Sequence, residues 1–235
     1  MWIASYIADG LGYKLEILTK RNPNQTPFFT QNNSTDIIHP VKSILLPSKL
    51  TKEWLDPYIS FLKENTENIS LHIIEDFHED SELVFSYKEY IKSIYTFPIL
   101  SGNSRITIHA RLDDLARFYI NYYESYARYI NTILDKYPSL PVYIVTANGD
   151  HNLIKKTQSI LSRNSTVVSG NHLDDFDFLR SSTIIISAST TFAWWAYFFN
   201  SSLEKYYVFL TPHQNVRNDS ILYKNLPNTE LYYDS

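Results

Sequence analysis

The stretch Thr183–Asn200, T-I-I-I-S-A-S-T-T-F-A-W-W-A-Y-F-F-N, constrains the fold more than any other segment of the chain. Ile184, Ile185 and Ile186 form a continuous β-branched run, which suits a strand covered on both faces. Small and hydroxylic residues, Ser187 to Thr191, follow without a spacer, and an apolar segment with helical spacing then carries the pair Trp194-Trp195. A strand that runs straight into a helix is one step of a parallel sheet. The step also has a chemical consequence. The first turn of a helix leaves N–H groups unpaired and carries partial positive charge, and hydroxyls there add donors, so the junction can seat an anion. Taken alone, the same residues equally describe a capped core helix with no ligand.

The rest of the chain repeats the step. In the second half, strands are expected at Arg105–His109, Val142–Thr146, Thr166–Ser169, Thr183–Ile186 and Lys205–Leu210. Helices are expected at Phe118–Tyr137, His151–Leu161, Asp174–Arg180 and Thr191–Asn200, with the tail from Pro212 polar. The first of these helices should bury Tyr119, Tyr122, Tyr126, Ile130, Ile133 and Tyr137. In the first half, Trp2–Ala8 reads as a strand running through Asp9-Gly10-Leu11-Gly12 into a helix, Tyr13–Lys20. Ile37–Leu46 and Ile69–Ile74 read as strands, and Leu50–Thr66 and Ser81–Tyr95 as helices. Such alternation means an α/β fold with parallel sheets. Pro98, Gly102 and Asn103 mark a boundary between a domain of residues 1–96 and one of 97–235.

Composition removes several classes of function. A net charge of -4 argues against a nucleic-acid binder, while leaving room for one small basic pocket. The absence of cysteine excludes a disulfide framework and a cysteine-ligated metal, and it favours a reducing compartment. No apolar run reaches membrane-spanning length.

Ligands of open α/β sheets bind beyond the carboxyl ends of the strands. Three such ends in the second half carry polar groups. The first is His109-x-Arg111-x-x-Asp114, where an arginine can fork onto a phosphate with two N–H donors. Asp114 could hold that guanidinium or act on a substrate hydroxyl, and the pair could also be a plain surface ion pair. The second is the hydroxyl seat of Ser189, Thr190 and Thr191. The third is Asp174-Asp175-x-Asp177, where a carboxylate can accept from the N1–H and amino group of guanine; N-capping of a helix is the alternative there. Without histidine close by, the aspartates are a weak metal motif. The P-loop pattern and the G-x-S-x-G nucleophile elbow are both absent, and the second half has no glycine-rich dinucleotide loop.

With these residues in place, the chain resembles the α-1,2-fucosyltransferase family, within the wider fucosyltransferase superfamily. Ser189–Asn200, S-T-T-F-A-W-W-A-Y-F-F-N, resembles the family's N-S-S-F-S-W-W-(G/A)-A-(Y/W)-(L/F)-N, with Asp175 and Leu179 at the family's upstream spacing. Ile108–Asp114, I-H-A-R-L-D-D, resembles H-x-R-R-x-D, with Leu112 in place of the second arginine. Gly10-Leu11-Gly12 is similar to the opening G-L-G-N-Q, and Phe85–Ile91 to Q-S-x-K-Y-F. The resemblance implies a GT-B-like pair of Rossmann-like domains, the first and smaller one facing the acceptor and the second holding the nucleotide sugar. It implies a metal-independent, inverting transfer of fucose from GDP-fucose to a glycan hydroxyl, with no cofactor. Arg111 would meet the diphosphate, helped by Ser189, Thr190 and Thr191, and Asp175 would read guanine. Asp114 or His109 would handle the acceptor proton, and Gly10 and Gly12 would line the cleft. Another nucleotide-sugar donor, and a non-catalytic nucleotide- or glycan-binding homologue, are the alternatives. A cytoplasmic location, free or at a membrane surface, is expected ahead of the Golgi lumen.

Overall fold

The structure, a computed structural model, describes residues 41–45, 52–65, 70–74, 81–95, 97–98, 100, 102–112, 116–210, 223 and 225–233. It divides into two compact units, Met1–Thr96 and Phe97–Ser235. The strand and helix expected at Trp2–Ala8 and Tyr13–Lys20, and the glycines between them, lie outside the described residues.

In the first unit, β1 (Val41–Leu45) pairs in parallel with β2 (Ser70–Ile74), and α1 (Lys52–Asn65) connects them. The helix expected at Ser81–Tyr95 is instead two, α2 (Ser81–Ser86) and α3 (Lys88–Ile94). The break is at Tyr87, whose backbone leaves helical geometry at φ -110 and ψ 19. A long-range contact competes with the local spacing there. The Tyr87 hydroxyl donates to Asp56 on α1 at 2.7 Å, and the Lys52 ammonium lies 4.3 Å from its ring centroid.

The second unit holds β3 (Asn103–His109), α4 (Ala116–Leu134), β4 (Val142–Val145), α5 (Asn152–Ile160) and β5 (Ser165–Val168). It continues through α6 (His172–Arg180), β6 (Ser182–Ala188), α7 (Thr191–Phe199), β7 (Lys205–Leu210) and β8 (Thr229–Tyr233). All six strands are parallel, in the order β5-β4-β3-β6-β7-β8. Numbered within the unit, this is 3-2-1-4-5-6, the order of doubly wound Rossmann-like folds. The last strand follows the segment expected to be only a polar tail. T-E-L-Y-Y is short and only partly covered at the sheet edge, so it lacks the apolar run that marks the inner strands.

The pleat divides the sheet between two layers. Ile106, Ile108, Val142, Ile144, Ile184, Ile186, Tyr207 and Phe209 share a buried cluster with Tyr126, Ala127, Tyr129, Ile130, Ile133 and Leu134 of α4 and with Leu153 and Ile154 of α5. The alternate residues meet α6 and α7. Arg105 lies over Phe178 at 3.4 Å, and Tyr206 stacks on Tyr197 with centroids 4.9 Å apart. Helix α7 is apolar almost all round because the sheet lies on one side and α6 on another. Trp194 is buried within it, against Trp195 and Phe198.

The start of the unit is anchored on α6 and α7. The Phe97 ring packs on Phe199 at 4.7 Å and on Phe176 at 5.2 Å. Buried Arg180 donates to the Pro98 carbonyl at 2.8 Å and lies 5.1 Å from the Phe97 centroid. Among the described residues, no helix is long and apolar enough to cross a membrane.

Candidate functional site at the switch point of the sheet

The chain reverses direction of travel across the sheet at β3. Strands β4 and β5 add on one side and β6 on the other, so the connections leaving β3 and β6 part and open a crevice at their carboxyl ends. His109 and Ser187 are register partners at that edge. The residues that follow are therefore brought side by side: Ala110, Arg111 and Leu112 after β3, and Ser189, Thr190 and Thr191 after β6. The two motifs singled out in the sequence meet in this way, at the place where this topology binds ligands.

His109 and Thr190 are in direct contact. The Thr190 hydroxyl lies 3.1 Å from His109 Nδ1, and both side chains are buried. Thr190 is also the N-cap of α7, with extended backbone and a side chain that accepts from the Ala193 N–H at 3.3 Å. Its carbonyl accepts from the buried Tyr223 hydroxyl at 3.4 Å. The imidazole of His109 is stacked on Phe192, with 5.3 Å between centroids and 29° between planes. Of the three hydroxyls expected at the seat, Thr190 is thus turned inward, while Ser189 and Thr191 on either side of it are half-buried.

Arg111 is half-buried two residues beyond His109. Ala110 and Leu112 on either side of it are buried in the cluster shared with α4, so the alternation of the strand carries on past its last hydrogen bond. Position 112, an arginine in the family pattern, is here part of the core. Asp114 lies outside the described residues, as do Gly10 and Gly12.

Asp175 falls in the second turn of α6. The N-cap of that helix is Asn171, whose side chain accepts from the N–H groups of Leu173 and Asp174 at 3.0 Å. The capping alternative for Asp174 and Asp175 is therefore replaced by a residue three positions earlier. Asp175 is buried, and its Oδ1 accepts from the Gly170 N–H at 3.1 Å. Burial pushes its carboxyl above the ordinary carboxylate range, against the smaller opposing pulls of that N–H and of the nearby His172. Phe176, the next residue, meets Phe192 edge-on at 5.6 Å. The first turns of α6 and α7 are joined by this contact, and Asp175 belongs to the same edge of the sheet as His109 and Thr190.

The aspartates around it have separate tasks. Asp174 bonds the Asn171 amide, and Asp177 accepts from Arg180 Nε at 2.6 Å. Among the described residues, no three histidine or carboxylate groups cluster closely enough to hold a metal ion. Phe176, Phe192 and Tyr223 were not picked out from the sequence. Each is an aromatic among many, and only the packing shows that these three buttress the seat. Compared with known proteins, the chain matches no family model and no curated sequence.

Proposed function

We propose that the chain is a glycosyltransferase of the GT-B type that moves fucose from GDP-fucose to a hydroxyl of a glycan, with inversion at the anomeric carbon. The observation that carries this reading is the 3.1 Å contact between His109 and Thr190 at the switch point, because it joins the two motifs on which the family resemblance rests. In this reading Arg111 and the first turn of α7 receive the diphosphate. The guanidinium, the free N–H groups of the turn and the hydroxyls of Ser189 and Thr191 stabilise charge that grows as the leaving group departs. Asp175 reads guanine, and its burial beside Gly170 favours a ligand that brings donors to an acceptor otherwise costly to keep charged. The first unit supplies the acceptor side.

A nucleotide screen tests the reading at its base. Thermal melts with GDP, UDP and ADP should show a shift with GDP alone, and a larger shift with UDP overturns the role of Asp175. Transfer is then followed with labelled GDP-fucose over a panel of glycan acceptors. One observation favours a second reading, a nucleotide-binding homologue without transfer: Leu112 removes the second cation of the family pattern from the site and places an apolar side chain in the core. GDP binding with no transfer to any acceptor and no hydrolysis would select it.

A further inference from the structure

Thr190 was expected to bind phosphate, but its hydroxyl is committed elsewhere. The oxygen uses one lone pair for the Ala193 N–H, and it meets His109 Nδ1 with the proton and lone pair that remain. We propose that Thr190 is the positioning residue of His109, fixing both the orientation of the imidazole and which of its nitrogens carries the proton. The proposal rests on the transfer reading above, in which His109 is one of two groups able to take the acceptor proton.

The imidazole is held from several directions. Phe192 covers one face of the ring, and Thr190 holds one edge of it. The backbone of His109 is fixed in β3 between Val145 and Ser187, and its carbonyl faces the Tyr126 hydroxyl at 3.4 Å. Thr190 is fixed in turn. Its carbonyl accepts from the Trp194 N–H at 3.1 Å as well as from Tyr223. Rotating its hydroxyl outward to a phosphate would break the cap and the histidine contact together.

The chemical consequence follows from the two nitrogens of a neutral imidazole. If Nδ1 donates to Thr190, Nε2 keeps its lone pair and can accept a proton. If Nδ1 accepts from Thr190, Nε2 carries the proton and cannot act as a base. The transfer step requires the first arrangement. The acceptor oxygen forms the bond to the anomeric carbon, the bond from that carbon to the diphosphate oxygen breaks with its electron pair leaving on GDP, and the acceptor proton passes to Nε2.

The tautomer can be read directly from nitrogen shifts of the full chain labelled with 15N-histidine, with His109→Gln assigning the signal. The wild type and Thr190→Ser should show one tautomer with the proton on Nδ1. Thr190→Gly should show a mixture; glycine caps a helix nearly as well as threonine, so α7 is retained. The same glycine variant should lower kcat by roughly 10- to 100-fold at unchanged donor KM, with serine restoring it. A proton on Nε2 in the wild type, or an unchanged tautomer in Thr190→Gly, overturns the proposal. These spectra need no donor, so they decide the role of Thr190 separately from the nucleotide screen, which decides the transfer reading.

Discussion

Leu112→Arg restores in sequence the second arginine of the H-x-R-R-x-D pattern, and the structure predicts that it costs most of the fold's stability. Leu112 is 3% exposed and packs in the cluster of Ile106, Ile108, Ile130 and Ile133. Losing the burial of a leucine forfeits roughly 1.5–3 kcal/mol. Burying an unpaired guanidinium costs several kcal/mol more, even after relaxation. A net loss of about 4–6 kcal/mol is expected, against a total stability of about 5–15 kcal/mol for an ordinary protein. Leu112→Met keeps volume and apolarity and should cost less than about 1.5 kcal/mol. Urea titration of the full chain, followed through the fluorescence of buried Trp194 and its neighbour Trp195, measures both. A midpoint for Leu112→Arg equal to that of the wild type refutes the reasoning, since it would mean that residue 112 turns out of the core. A simultaneous gain in GDP affinity would return that position to the ligand.

The remaining predictions concern the site and the tyrosines. Arg111→Ala should weaken GDP binding by roughly 2–5 kcal/mol, the cost of removing one partner of a charge-assisted contact, and Arg111→Lys should recover only part because an ammonium cannot fork. Calorimetric titration with GDP checks both, and equal affinity in all three proteins removes Arg111 from the site. Burial raises the Asp175 carboxyl, so its contribution to stability is full below the unfolded value of about 3.9 and is lost as pH rises through the folded one. Asp175→Asn keeps an oxygen for the Gly170 N–H and should gain stability relative to the wild type between acidic and neutral pH. A difference that stays flat across that range in thermal melts would contradict it. Burial also pushes Tyr197 up to about 12 and raises Tyr129 and Tyr206. The stability they lend is complete below the unfolded tyrosine value of about 10 and fades as pH climbs toward 12. Phenolate absorbance should therefore rise in two stages, the second coincident with loss of near-ultraviolet circular dichroism, and a single smooth titration would count against their burial.

The second unit was legible because its inner strands are covered on both faces. Ile184–Ile186, Val142–Val145 and Lys205–Leu210 are apolar runs, and a helical period follows each of the first two at short range. The edge strand β8 was missed for the complementary reason: half-covered, it alternates weakly and resembles a tail. In α4 the spacing found Tyr126, Ile130 and Ile133 but not Tyr129 or Leu134, which are buried as well because layers on both sheet and helix sides widen the covered stripe. Tyr87 broke a helix through a contact 31 residues away in sequence, which no local window contains. At the site, the residue types were readable and their partners were not. His109 and Thr190 are 81 positions apart, and only the strand order shows that they touch. That order also turned one expected phosphate donor into a group facing inward.

The anchoring of Phe97 and Pro98 on α6 and α7 has a consequence for dissecting the chain. A fragment that begins at Phe97 keeps the ring that fills the space between Phe176 and Phe199 and the carbonyl that Arg180 holds. One that begins at Gly102, where β3 nearly starts, would leave those aromatic faces wet and a buried guanidinium short of an acceptor. The cut five residues earlier is thus the one that yields a soluble, separately foldable piece. What looks in the sequence like the end of a linker is the first structural commitment of the unit that follows it.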